Sequence, residues 1–208
     1  MLIPIHVLNN HFKLNINGIL HIGAHECEEL QDYNNIGITN NNIYWIEAMK
    51  NKVDLIKNNK KDVNIYNAVI DIEDNKEIVF NITNNGQSSS ILEFGSHSVH
   101  HPHVKMIEKQ VMNTSRMDSI IDKYNIPIHN INFINLDIQG VELRALKSME
   151  KYLKNIQYIY TEVNTEEVYK NCNLMSEIDE YLSNFGFTRV ATKILEQYGW
   201  GDAFYMKQ

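Results

Sequence analysis

Cysteine is nearly missing from this sequence, with Cys27 and Cys172 the two thiols among 208 residues. That is too few for a disulfide framework in a chain this long and points to a reducing compartment. Basic residues are also short: 19 Lys and Arg stand against 26 Asp and Glu, for a formal net charge of -7, and they form no stripe. Neutralising phosphates needs clustered Lys and Arg, so nucleic acid is excluded as the main partner, and an anionic membrane with it. No apolar run is long enough to span a bilayer. The opening segment MLIPIHVLNNHFKLN lacks the charged start, long apolar core and small-residue cleavage site of a signal peptide. A soluble, cytoplasmic protein is the expectation. A G-x-G-x-x-G fingerprint is missing as well, which argues against a pyrophosphate seated on a helix N-terminus.

What is present centres on residues 17–47, NGILHIGAHECEELQDYNNIGITNNNIYWIE. Ile19, Leu20 and Ile22 make a short apolar run that stops at Gly23 and Ala24, where small residues let the backbone turn sharply and let a ligand approach it. The composition of 25–33 predicts a helix. A second apolar run, 43–46, ends on Glu47, about twenty residues after the turn, where a βαβ nucleotide site places the acid that binds ribose hydroxyls. With no phosphate loop, a nucleoside ligand such as S-adenosylmethionine fits best. An ordinary strand-turn-helix with a surface Glu47 is the competing reading of that spacing.

The remaining chain reads as one domain over residues 1–208, with no boundary in composition. Residues 1–16 read as a cover segment with a short amphipathic helix after Pro4, carrying Ile5, Leu8 and Phe12 on one face. Strands are expected at 63–69, 132–138 and 156–163, with helices at 51–59 and 116–124 and after Gly140. Residues 77–82 alternate as an exposed extra strand would, and a long polar segment over 83–112 follows as an active-site loop. A helix with Ile178, Leu182 and Phe185 closes at Gly186. Strands at 187–195 and 203–206, joined by QYGWGD, form an antiparallel hairpin. The outcome is an α/β fold, a Rossmann-like sheet of seven mostly parallel strands with helices on both faces. Gly23, Glu47, Asp137, Glu162 and Asn164 all fall at carboxyl ends of strands, where such sheets bind ligands.

Asp137 stands at the carboxyl end of its strand, on the ligand-binding edge. It can hold an ammonium, act as general base on an acceptor hydroxyl or ligate a metal, and capping the next helix at Gly140 and Val141 is a fourth reading. Asp137, Glu162 and Asn164 form an all-oxygen set suited to Mg²⁺ rather than Zn²⁺, so metal dependence stays open as an alternative. His97, His100, His101 and His103 lack a partner of matching order for a metal site. Within that polar loop, His97 and His103 are the candidates for a base near neutral pH. Cys27 reads as a small apolar filler.

Several motifs in order, HIGAHECEELQDY with WIEA, NAVIDIED, NGQSSSIL, LDIQGVELRALK, TEVN and GWGDAFY, cover most of the chain. Together they make it resemble the FkbM family of S-adenosylmethionine-dependent methyltransferases, whose sheet has the class I layout. The resemblance implies methyl transfer to a hydroxyl oxygen of a sugar, glycan or glycosylated metabolite. It implies ribose binding by Glu47 with Ala48 beside it, methionine contacts through Gly23, Ala24 and His25, and adenine packing on Ala68 and Val69. This sequence departs from the family at three points. His21 replaces the first-strand acid, so His21 or Glu26 would take over at the methionine end. Cys27 replaces the second glycine, and Gln139 replaces a frequent Glu. Ser89 is assigned to the cofactor side and Ser90 to the acceptor side, joined there by Gln139, Glu162, Asn164, Asp202 and Trp200, whose indole can stack on a sugar face. Open alternatives are a non-sugar acceptor and a non-catalytic module that keeps the cofactor fold in a glycan-processing complex.

Overall fold

The computed structural model describes residues 1–60 and 62–208. In chain order the elements are α1 (Ile5–Phe12), β1 (Ile19–Ile22), α2 (Leu30–Asn35), β2 (Ile43–Glu47), α3 (Lys50–Asn59), β3 (Asn64–Asn67) and β4 (Val69–Ile70). Then come β5 (Glu77–Thr83), α4 (His97–His100), β6 (Met106–Ser115), α5 (Met117–Tyr124), β7 (Phe133–Leu136) and α6 (Glu142–Ser148). The chain ends with β8 (Tyr158–Asn164), α7 (Met175–Ser183), β9 (Phe187–Leu195) and β10 (Trp200–Lys207). Among the described residues no helix is long and apolar enough to cross a membrane.

A seven-stranded sheet runs in the order β3-β2-β1-β7-β8-β10-β9. Pairs from β3 to β8 are parallel, and β10 is antiparallel to both of its neighbours. The order reverses between β1 and β7, which opens a crevice at their carboxyl ends. Because strand side chains alternate, β1 serves two cores at once. Leu20 and Ile22 pack with Ile134, Leu136 and residues of α5, α6 and α7, such as Ile120, Leu143 and Ile178. Ile19 faces the other way, into a core with Trp45, Phe133, Leu8 of α1 and Val53 of α3. Covered on both faces, β1 and β7 are buried throughout and apolar but for His21 and Asn135, both of which hydrogen-bond the Tyr33 hydroxyl.

The structure departs from the sequence expectations in three places. The strand expected over 63–69 breaks at Ala68, whose N–H is taken by the Glu47 carbonyl at 3.0 Å. Its last part, β4, leaves the main sheet to pair with β6. Second, 106–112 is strand rather than loop: β6 pairs antiparallel with β5 and forms a three-stranded sheet, β4-β6-β5. Most of β6 faces solvent and carries polar residues, so its sequence lacks the apolar alternation of a half-buried strand. Third, the helix expected over 25–33 begins only at Leu30. Upstream, His25 and Cys27 are left-handed, at φ 41° and 55°. The Glu47 carboxylate takes the His25 N–H at 2.7 Å and Glu28 takes the Glu26 N–H at 3.0 Å, and these side-chain bonds hold the segment in its non-helical turn.

Candidate active site

At the carboxyl ends of β1, β2, β7 and β8 lies a cavity of about 450 Å³, a volume suited to a small-molecule ligand. Its floor is the turn after β1. Gly23 has φ 97°, and a Cβ there would lie 1.8 Å from the Asp137 carbonyl oxygen, so the two loops meet only over a glycine. The Gly23 and Ala24 N–H groups both donate to the Ile46 carbonyl, at 2.9 and 3.0 Å, which ties this turn to β2.

Glu47 ends β2 on the cavity wall and is 5% exposed. Oε2 accepts the His25 N–H and Oε1 the Met49 N–H at 2.8 Å. Burial pushes its carboxyl above the ordinary value, and the two backbone donors oppose that. Each oxygen keeps a lone pair for a ligand hydroxyl. Ala48, Met49, Ala68 and Val69 supply an apolar wall next to it. An acid oriented by backbone donors, a glycine turn and an apolar slot fit a nucleoside cofactor such as S-adenosylmethionine.

Asp137, Gln139 and Glu162 close the far side of the cavity. Gln139 Nε2 donates to Asp137 Oδ1 at 2.5 Å and to Glu162 Oε2 at 2.7 Å, while its Oε1 accepts the Tyr169 hydroxyl at 2.6 Å. The Asp137 side chain opens into the cavity, yet the depth of the site and then Asp202 push its carboxyl up. Burial, then Asp137, drives the Glu162 carboxyl well above its ordinary value. The capping role belongs instead to Glu142, which accepts the Ile138 and Gly140 N–H groups at 3.0 and 3.1 Å; burial pushes its carboxyl to about 7. Asp137 is thereby free for a ligand.

His97 rises from α4 onto the cavity wall, 6% exposed and stacked on Phe94 at 4.2 Å, with its Nδ1 unpartnered. Burial, then His101 and His103, lowers it to about 4, so at pH 7 it is a neutral imidazole of weakened basicity, not the base near neutral pH that the sequence suggested. His103 lies at the exposed rim. His21 is on the wall too, stacked on Trp45 at 4.6 Å with Nδ1 3.1 Å from the Tyr33 hydroxyl; burial lowers it to about 4.

Gly23, His25, Ala48, Ala68, Val69, Ser89, Trp200 and Asp202 also line the cavity. Trp200 packs against Val168, Tyr169 and Cys172, and Asp202 accepts Tyr160 O–H and Leu2 N–H, both on Oδ2. Four expected contacts lie elsewhere. Ala24 is buried in the core, and Glu26 points out to Lys52. Ser90 donates to the Gln139 carbonyl at 2.8 Å, bracing the loop rather than facing an acceptor. Asn164 is fully buried opposite Trp200, with neither amide atom partnered. The Mg²⁺ alternative does not fit. Amide hydrogens of Gln139 occupy the space between Asp137 and Glu162 where a cation would sit, and Asn164 is not on the wall. Among the described residues no group of three or more His, Cys, Asp or Glu is placed to hold a metal ion. Burial raises the Cys27 thiol to about 12, as suits a filler.

Sequence reasoning missed Tyr169, Met49 and Glu28. Glu28 binds His25 Nδ1 at 2.6 Å and is held at about 2, with His25 offsetting the cost of its burial. Its signal was the acid run in HECEEL. Tyr169 reaches Gln139 from 30 residues away, and nothing local announces that contact.

A family model described as the methyltransferase FkbM domain matches residues 21–189. Among solved structures, an S-adenosylmethionine-dependent methyltransferase from Clostridium acetobutylicum ATCC 824 superposes with a TM-score of 0.51 at 8% identity, over 98% of this chain and 89% of that one. One from Aquifex aeolicus gives 0.50 at 14% identity, over 99% and 89%. Magnesium protoporphyrin IX methyltransferase from Synechocystis PCC 6803, solved with bound SAM, gives 0.51 at 7% identity, over 98% and 76%. At such identities the likeness is one of fold. No curated protein matches the chain in sequence.

Proposed function

The chain belongs to the FkbM family of S-adenosylmethionine-dependent methyltransferases, and from that premise we propose that it methylates a hydroxyl oxygen of a sugar, glycan or glycosylated metabolite. The observation that carries the cofactor side is Glu47: a buried carboxylate on the cavity wall, aimed by the His25 and Met49 N–H groups. Glu47 would accept the ribose hydroxyls, Ala48, Met49, Ala68 and Val69 would hold the adenine, and the Gly23 turn would admit the methionine chain. When bound, S-adenosylmethionine supplies an electrophilic methyl group on a sulfonium leaving group.

Everything else falls to the protein. Asp137 Oδ2, free of the Gln139 contact, would take the acceptor's proton. A sugar hydroxyl is too weak an acid to ionise beforehand, so a base within hydrogen-bond reach need only accept the proton as the new C–O bond forms. His97, neutral and with an unpartnered nitrogen, would hydrogen-bond and orient the acceptor rather than take its proton. Trp200 offers an indole face to a sugar ring and Asp202 a carboxylate to its hydroxyls. Holding acceptor and methyl donor in line would supply most of the rate.

Calorimetric titration with S-adenosylmethionine tests the cofactor reading. Saturable binding is expected, weakened by Glu47→Ala on the order of 30-fold or more, as for loss of charge-assisted hydrogen bonds. A folded wild-type protein that binds no S-adenosylmethionine refutes it. A panel of sugar, aromatic-hydroxyl, carboxylate and amine acceptors, scored by S-adenosylhomocysteine release, then tests the sugar hydroxyl.

A further inference from the structure

We propose that Tyr169 is a positioning residue of this site: its hydroxyl sets which way the Gln139 amide points, and through it the state of the Asp137 and Glu162 carboxyl pair. The inference rests on the role given to Asp137 above. A glutamine amide has one acceptor oxygen and two N–H donors. Three neighbours compete for it: the Tyr169 hydroxyl at 2.6 Å from Oε1, and Asp137 and Glu162 at 2.5 and 2.7 Å from Nε2. One orientation satisfies all three when the phenol donates to Oε1 and each amide hydrogen goes to one carboxyl. Turned over, the amide would put its oxygen between two carboxyls, tolerable only if one of them held a proton and donated it. Burial favours a proton on Glu162, so the carboxyl pair alone does not fix the amide. Tyr169 decides it.

Tyr169 is built to decide. The residue is fully buried, its ring lies 5.7 Å from Phe94 and 5.5 Å from His97, and its hydroxyl is 3.2 Å from the Ser88 carbonyl. Gln139 is pinned from the backbone side, with φ 58° and its carbonyl held by Ser90. The backbone is thereby set, and the amide is placed by the hydrogen bonds it makes. Other charged groups facing the pair are Asp202 from β10, Glu142 from α6 and Glu29 ahead of α2, the last with the Met1 amine 3.5 Å away. With the amide locked, Asp137 receives one N–H and keeps its other oxygen as an anionic acceptor for the substrate proton.

Carbon-13 NMR titration of the side-chain carboxyls of Asp137 and Glu162, assigned through Asp137→Asn and Glu162→Gln, reads this directly without an acceptor. In Tyr169→Phe, which keeps the ring, both carboxyls lose part of the Gln139 donation. Proton affinity of the pair should then rise on the order of tenfold, the equivalent of one lost hydrogen bond to a charged group. Gln139→Asn keeps a residue that tolerates the left-handed backbone but cannot span the gap, so it removes the donation altogether and should raise it at least as far. Tyr169→Phe added to Gln139→Asn should change nothing further. An unchanged titration in Tyr169→Phe, or additive effects in the double variant, overturns the proposal. Calorimetry with S-adenosylmethionine run alongside separates the two readings: wild type that fails to bind it defeats the methyltransferase role and leaves the carboxyl titration to judge Tyr169 alone.

Discussion

A methyl group on Gly23 would have to occupy the space of the Asp137 carbonyl oxygen, 1.8 Å away. Gly23→Ala therefore separates the two loops whose contact forms the cavity floor, and adds left-handed strain at φ 97°. Combining that strain with the clash, a loss of at least about 2 kcal/mol is expected in urea melts, with weaker S-adenosylmethionine binding. Unchanged stability and binding would show that the floor has slack. Gly23, Glu47 and Asp137 were legible because each ends an apolar run, the one place where a polar or tiny residue in a buried parallel strand needs a reason. Ser90 and Glu26 were misplaced for a shared reason. Their neighbours in sequence do face the cavity, and only the left-handed turn at His25 and the Asn81 to Ser90 bridge decide which side chains point inward.

Among elements, the least legible was β6, and it backs the apolar wall of the cavity beside Glu47. Pairing with β5 in register from Glu77 opposite Asn113 holds Phe80 over Met49 and Val69. Those three form a small core whose inner surface is cavity wall. Phe80 is 5% exposed, so Phe80→Ala should cost about 3–5 kcal/mol and loosen cofactor binding with it. Val111, 67% exposed on the opposite face, should accept Lys within about 0.5 kcal/mol. Thermal melts of the two variants check whether this small sheet is held by its inner face alone. By contrast β1, β2, β7 and β8 were readable from composition, since burial on both faces leaves short segments dominated by Ile, Leu and aromatic residues, with few polar interruptions. No local pattern marks a strand like β6, where long-range pairing with solvent on one side does the work.

Across the whole molecule, buried acids and buried imidazoles pull stability in opposite directions with pH. Burial holds the Glu142 carboxyl near 7 and raises those of Glu47, Asp137, Glu162 and Asp202. A carboxyl whose folded pKa is raised binds more protons in the native than in the unfolded chain. Its contribution is therefore greatest below the unfolded value of about 4.5 and is lost as pH climbs to the folded one. His21 and His97, lowered to about 4, act the other way, and their contribution grows from pH 4 to about 6.5 and then is complete. Between pH 4.5 and 6.5 the two trends offset one another. Above 6.5 those imidazoles add nothing more while Glu142, near 7, and Glu162, held well above its ordinary value, still ionise, so stability should fall from there toward pH 8. Glu142→Gln keeps an oxygen for the Ile138 and Gly140 N–H groups and removes the ionisation. Urea midpoints should then fall less steeply with pH than in wild type, the difference reaching up to about 3 kcal/mol by pH 8. Parallel curves for the two proteins would mean that Glu142 ionises in the native state as easily as it does unfolded, with the N–H groups at the head of α6 fully offsetting its burial.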